Sequence, residues 1–146
     1  MSAIRIGEAA HRLGLTTRTL RYYEEMGLLS PEARNQGGFR LYGEDEIARL
    51  ERICELKNLL GFNLHEIKEI LTAEDELAEL RREYFAEPED AARREGILVR
   101  ALEINRRLRG LVDAKATALA QMRDTLEERA RSYKKTLREL RAGAPS

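Results

Sequence analysis

The chain has no tryptophan, one cysteine, three prolines and only 5% aromatic residues in 146 positions. A single cysteine excludes an intramolecular disulfide, so packing alone must hold the fold, and a reducing cytoplasm is the expected setting. Scarce aromatics argue against an aromatic-lined ligand pocket and favour helices with charged outer faces. Net charge is missing too, since 26 Lys and Arg are matched by 26 Asp and Glu. No global field therefore draws the protein toward nucleic acid or an acidic membrane, and any such binding must come from a local patch. No stretch is apolar enough for a membrane span, and MSAIRIGEAAHRLG lacks the apolar core of a signal peptide. Nothing resembles a nucleophile with its base, a phosphate loop or a dinucleotide fingerprint, so no enzyme and no cofactor are expected. His11 and His65 have no second His or Cys at ligand spacing, so no metal site is expected.

What is present is helical periodicity. In IGEAAHRLGL, Ala9, Ala10 and Leu13 share a face and Gly14 follows as a stop. Thr16 stands where an N-cap is wanted, Leu20 and Tyr23 line one face of the next helix, and Gly27 would end it. Two short helices around a Gly-containing turn spell a helix-turn-helix. Pro31, Asn35, Gln36, Gly37 and Gly38 are turn chemistry, and with Phe39 and Tyr42 they predict a two-stranded wing. A third helix follows through Ile47, Leu50, Ile53, Leu56 and Leu60, ended by Gly61. Asn63 with Glu66 forms a capping-box pattern for a fourth, striped by Leu64, Ile67 and Leu71.

Beyond Thr72 the composition turns to Ala, Arg, Glu and Leu, as in long helices and coiled coils. Pro88 suits the first turn of a helix, so a separate short helix is expected before it. Ile97, Ile104, Leu111 and Ala118 repeat every seventh residue beside Ala101, Leu108, Lys115 and Met122, which makes a heptad seam. The spacing then slips one position later to Leu119, Leu126, Tyr133 and Leu140, as a stutter or a bend would produce. The expected organisation is mainly α, with a winged helix-turn-helix domain at 1–72 and a connecting short helix at 73–87. A dimerisation coiled coil follows at 88–142, then a disordered tail at 143–146. The expected dimer interface runs through Ile97, Ile104, Leu108, Leu111 and Met122.

The second helix gathers Arg18, Arg21, Tyr22 and Tyr23, with Arg18, Arg21 and Tyr22 outward and Glu25 behind them. A recognition helix enters the major groove with its N-terminal part, and this order suits that entry. The plain alternative is a solvated face balanced by a pair such as Arg21 with Glu25. The wing favours DNA, because Arg34 and Arg40 bracket NQGG, and residues 1–42 hold six Arg against four Glu.

TLRYYEEMGLL, then P and R, then GFRLY and LLGFNLHEI, in this order, closely resemble the winged helix-turn-helix domain of MerR-type transcriptional regulators over roughly the first half of the chain. The resemblance implies a homodimer, joined by an antiparallel C-terminal coiled coil, that binds double-stranded promoter DNA at a pseudo-palindromic operator. It also implies switching by distortion of that DNA, with RNA polymerase as a further partner and a nucleoid-associated location. Arg21 and Tyr22 would be backbone and groove contacts of the recognition helix, Arg40 and Tyr42 wing contacts to phosphate, with Arg34 beside them. Thr17 and Arg18 fall where the family varies its base contacts. The alternative is an architectural or excisionase-like protein that bends DNA without a dedicated promoter. Metal-sensing and redox members use cysteines near the dimer helix, whereas Cys54 stands on the third helix beside Ile47 and Leu50 and reads as a buried structural thiol.

Overall fold

A computed structural model describes residues 4–30, 33–34, 40–143. It divides into two compact units, residues 1–85 and 86–146. In the first unit the order is β1 (Ile4–Arg5), α1 (Ile6–Leu13), α2 (Thr17–Glu25), β2 (Ala33–Arg34), β3 (Arg40–Tyr42), α3 (Glu44–Cys54), a π-helical turn (Glu55–Leu59) and α4 (Leu64–Ala86).

The wing has three strands, in the order β1-β3-β2, all antiparallel. Ile4 pairs with Tyr42 and Arg34 with Arg40. The third strand escapes the sequence because two residues cannot display a period of two. The turn residues 35–39 lie outside the described part.

Helices α1 and α2 pack as the spacing predicts: Ala9, Ala10, Leu20 and Tyr23 are buried. Gly14 closes α1 at φ 67°, a left-handed conformation that Gly adopts without steric cost. The Thr16 hydroxyl accepts the Thr19 N–H at 3.1 Å and so caps α2. Gly43 precedes α3, and its N–H donates to Glu46 at 2.9 Å. The α3 stripe holds through Ile47, Leu50, Ile53 and Leu56. Leu60 departs from it and is 43% exposed. The cause is the π turn, in which the Leu60 N–H reaches the Glu55 carbonyl five residues back. The extra residue in the turn moves Leu60 off the stripe, and beyond left-handed Gly61, φ 73°, Phe62 returns to the core with its N–H on the Leu56 carbonyl at 2.9 Å.

The Asn63–Glu66 box forms in both directions, at 2.8 and 2.9 Å. From it α4 runs without a break to Ala86, so the separate helix expected at 73–87 is the second half of α4. Nothing between Thr72 and Ala86 breaks a helix; the composition changes there, not the backbone.

In the second unit, α5 is one uninterrupted helix, Ala91–Arg141, capped by Asp90 accepting the Arg93 N–H at 3.0 Å. The expected slip in its seam needs no bend. A strict seven-residue row drifts about 20° per heptad on an α-helix. A stripe that keeps to one side must therefore step one residue later after a few heptads. From Ile97 to Leu140 the apolar positions advance by about 3.6 residues per turn, the period of a straight helix.

Candidate nucleic-acid interface

Helix α2 is fixed from beneath and from behind. Beneath, Leu20 and Tyr23 are buried. Behind, the chain turns at Gly27, whose φ of 76° is left-handed, and the Leu28 N–H returns to the Tyr23 carbonyl at 2.9 Å. Arg49 of α3 donates to the Leu28 carbonyl at 2.5 Å and pairs with Asp75 of α4 at 3.0 Å. Arg52 meets Glu74 through two nitrogens, at 2.7 and 3.2 Å. The Glu74 hydrogen bond raises the Arg52 pKa further above its already high value, against the cost of burial. These arginines hold α3 and α4 together behind the turn that ends α2 and leave its outer face to others.

On that outer face Arg18, Arg21 and Tyr22 are exposed and Thr17 is half-buried. Among the described residues neither Arg18 nor Arg21 has an ion-pair partner, and the Arg21–Glu25 pair of the solvated-face reading does not form. Two guanidiniums are thus held out on the first two turns of a capped helix. Their donors are available for phosphate oxygens or for the acceptors of guanine.

The wing corrects one assignment. Tyr42 is not exposed at all. Its hydroxyl donates to the Glu24 carboxylate on α2. Tyr42 therefore fastens the wing strand to α2, with its side chain turned into the domain instead of outward as a wing contact would need. Every second residue of a wing strand points into the domain, and Tyr42 takes that side, opposite Ile4 of β1. Arg34 and Arg40 stand as cross-strand partners, and their side chains lie outside the described part. The linking roles of Glu24, Arg49 and Arg52 went unread in the sequence, where an acid or an arginine on a helix looks like any solvated charge.

Cys54 is half-buried, less covered than its neighbours Ile47 and Leu50. Burial pushes its thiol pKa up, partly opposed by Lys57. Among the described residues no group of three His, Cys, Asp or Glu could hold a metal ion. No described helix is long and apolar enough to cross a membrane.

On α5, Ile97 and Ile104 are buried within the single chain, Leu108 and Leu111 are half-buried, and Met122 is 62% exposed. The five residues expected to form the dimer interface thus differ sharply in exposure.

Residues 4–74 match the family described as MerR HTH family regulatory protein. The chain is 34% identical over 127 residues to the HTH-type transcriptional regulator YfmP of Bacillus subtilis (strain 168), covering 87% of this chain and 90% of that one. It spans about half or less of the length of further curated relatives. Among solved structures, a MerR family regulator from Listeria monocytogenes aligns with a TM-score of 0.62 at 21% identity, over 96% of this chain and 92% of that one. HiNmlR, a MerR family regulator lacking the sensor domain and bound to promoter DNA, aligns at 0.51 and 21%, over 97% and 96%. These likenesses, joined to a capped helix that holds Arg18 and Arg21 outward, place the chain in the MerR family of DNA-binding transcriptional regulators.

Proposed function

We propose that the protein acts as a homodimer on a two-fold-symmetric promoter operator, with α2 of each copy in the major groove and Arg40 of each wing on phosphate. The observation that carries this reading is the pair Arg18 and Arg21, exposed on the first turns of α2 and, among the described residues, without ion-pair partners. Thr17 and Arg18 would read base edges, Arg21 and Tyr22 would touch backbone and groove, and Arg34 and Arg40 would set the register of the wing. A two-fold dimer requires half-sites separated by about 34 Å or a multiple of it, which is one helical turn of DNA. Distortion of the DNA between them would alter how RNA polymerase engages the promoter, and sequence preference would then extend to base pairs no side chain touches.

The test is a footprint of the full chain on the DNA upstream of its own and neighbouring coding regions. An inverted repeat protected between promoter elements supports the regulator. Uniform coverage with no preferred site would instead leave a general DNA-bending protein.

A further inference from the structure

Residues 1–42 carry only a mild excess of positive charge, six Arg against four Glu. In a chain with no net charge, a denser patch lies elsewhere. Near the end of α5 stand Arg129, Arg131, Lys134, Lys135, Arg138 and Arg141, and between Arg129 and Arg141 the one acid is Glu139. All six cations are exposed, and among the described residues none of them has an ion-pair partner. Earlier on α5 the pattern differs, for Arg109 pairs with Asp113 at 3.8 Å and Arg123 with Glu127 at 4.0 Å.

Five of the six share a face. At about 100° per residue Arg131, Lys134, Lys135, Arg138 and Arg141 fall within an arc of about 120°, along roughly 15 Å of helix. Tyr133, Leu137 and Leu140 fall outside this arc, on the apolar side. The patch begins abruptly, since the turn before it holds Glu127 and Glu128. The helix dipole favours cations near a C-terminus, but its effect fades within the last turn. It accounts for Arg138 and Arg141 and leaves Arg131, Lys134 and Lys135 without a reason inside one chain.

The chemistry of the face selects its occupant. Five cations with no apolar residue among them suit a polyanion, whereas a protein partner would want an apolar centre to the contact. About nine phosphates lie along 15 Å of duplex axis, enough for each cation to meet one. DNA is also the polyanion this family binds, and a chain held on DNA by its first unit meets further phosphate at high effective concentration.

We propose that Arg131, Lys134, Lys135, Arg138 and Arg141 form a second phosphate-binding surface for double-stranded DNA, separate from α2 and the wing. It adds affinity that salt weakens and leaves the choice of site to α2, since a contact to phosphate carries no sequence information. Such a surface requires only that the chain binds DNA, and neither the dimer nor the operator.

The full chain carrying Arg131→Gln, Lys134→Gln, Lys135→Gln and Arg138→Gln tests it. Glutamine keeps a helix propensity close to that of Lys and Arg, and circular dichroism with sedimentation checks fold and assembly. The probe is random-sequence duplex DNA, titrated over a range of salt. The slope of log affinity against log salt should be shallower in the quadruple variant by about two to four units. Arg106→Gln with Arg107→Gln removes two exposed cations that also lack ion-pair partners among the described residues, and should leave the slope unchanged. An equal loss per charge in that pair would make the effect one of net charge and overturn the surface. An unchanged slope in the quadruple variant, beside a slope reduced by about one unit in Arg40→Ala, would overturn it too and leave α2 and the wing as the DNA contact. In that case, capture of the parent but not the variant by phosphatidylserine vesicles would make a lipid surface the occupant. A quadruple variant that sediments as a smaller species than the parent would assign these cations to a contact between copies and overturn the proposal.

Discussion

The hydroxyl of Tyr42, on the last strand of the wing, donates to the carboxylate of Glu24 near the end of α2. Two parts of a DNA reader, far apart in sequence, are therefore coupled by one hydrogen bond to a charged acceptor. Tyr42→Phe keeps the buried ring and removes only that donor. Urea unfolding should show a loss of about 1.5–3 kcal/mol, the range for a hydrogen bond to a charged group. The salt dependence of DNA binding should keep its slope, because no phosphate contact is lost; a flattened slope would return Tyr42 to the DNA surface.

Arg40→Ala and Arg18→Ala should separate positioning from reading. A phosphate contact in the wing releases counterions whatever the sequence, so Arg40→Ala should weaken specific and random DNA about equally and reduce the salt slope by about one unit. Loss of an Arg18 contact to guanine should cost roughly 1–3 kcal/mol on the operator alone and relax preference at one position of each half-site. Equal losses on both DNAs for Arg18→Ala would make it another backbone contact.

Thr16→Ala removes the side chain that accepts the Thr19 N–H. The expected loss of stability is about 1 kcal/mol. Hydrogen exchange should quicken first at the amides of Thr17 to Thr19, and no change there would mean that water replaces the cap at no cost.

Cys54→Ala should leave DNA binding intact. Burial raises the thiol pKa, so the folded state holds its proton more tightly than the unfolded chain. The stability this contributes is fully present below the ordinary thiol range and is lost as pH rises through the raised value. Relative to Cys54→Ala, the parent should therefore lose stability above about pH 8.5. Alkylation by iodoacetamide at neutral pH should be slower than for a free thiol, since little thiolate is present. A fast reaction at neutral pH, or a response to oxidant lost with the sulfur, would make Cys54 a sensor.

What was legible in the sequence was local. Thr16 before α2, the Asn63–Glu66 box and the Gly14 and Gly27 stops are decided within a few residues, and the structure places each where the spacing puts it. Tyr42 was misread because a tyrosine on a short strand offers the same hydroxyl to a phosphate and to a buried acid. Only the fold brings Glu24, eighteen residues earlier, within its reach. Leu60 was misplaced because spacing rules assume a constant 3.6-residue repeat, which the π turn interrupts. The stripe through Ile97, Ile104, Leu108, Leu111 and Met122 was legible on α5, whereas the difference between buried Ile97 and Ile104 and exposed Met122 was not, because a heptad count carries no burial.

That π turn also sets how the domain tolerates changes of length. A deletion of one residue between Glu55 and Leu59 would leave the backbone able to close as ordinary α-helix. A π turn closes with one residue more than an α turn, so losing that residue would leave Phe62 and the start of α4 facing much as they do. The hydrogen bonds and the packing would both tolerate the edit. At Glu55–Leu59 the chain therefore carries a residue it can lose, and among relatives that keep this core the count of residues between Ile53 and Phe62 should fall by one more readily than it rises.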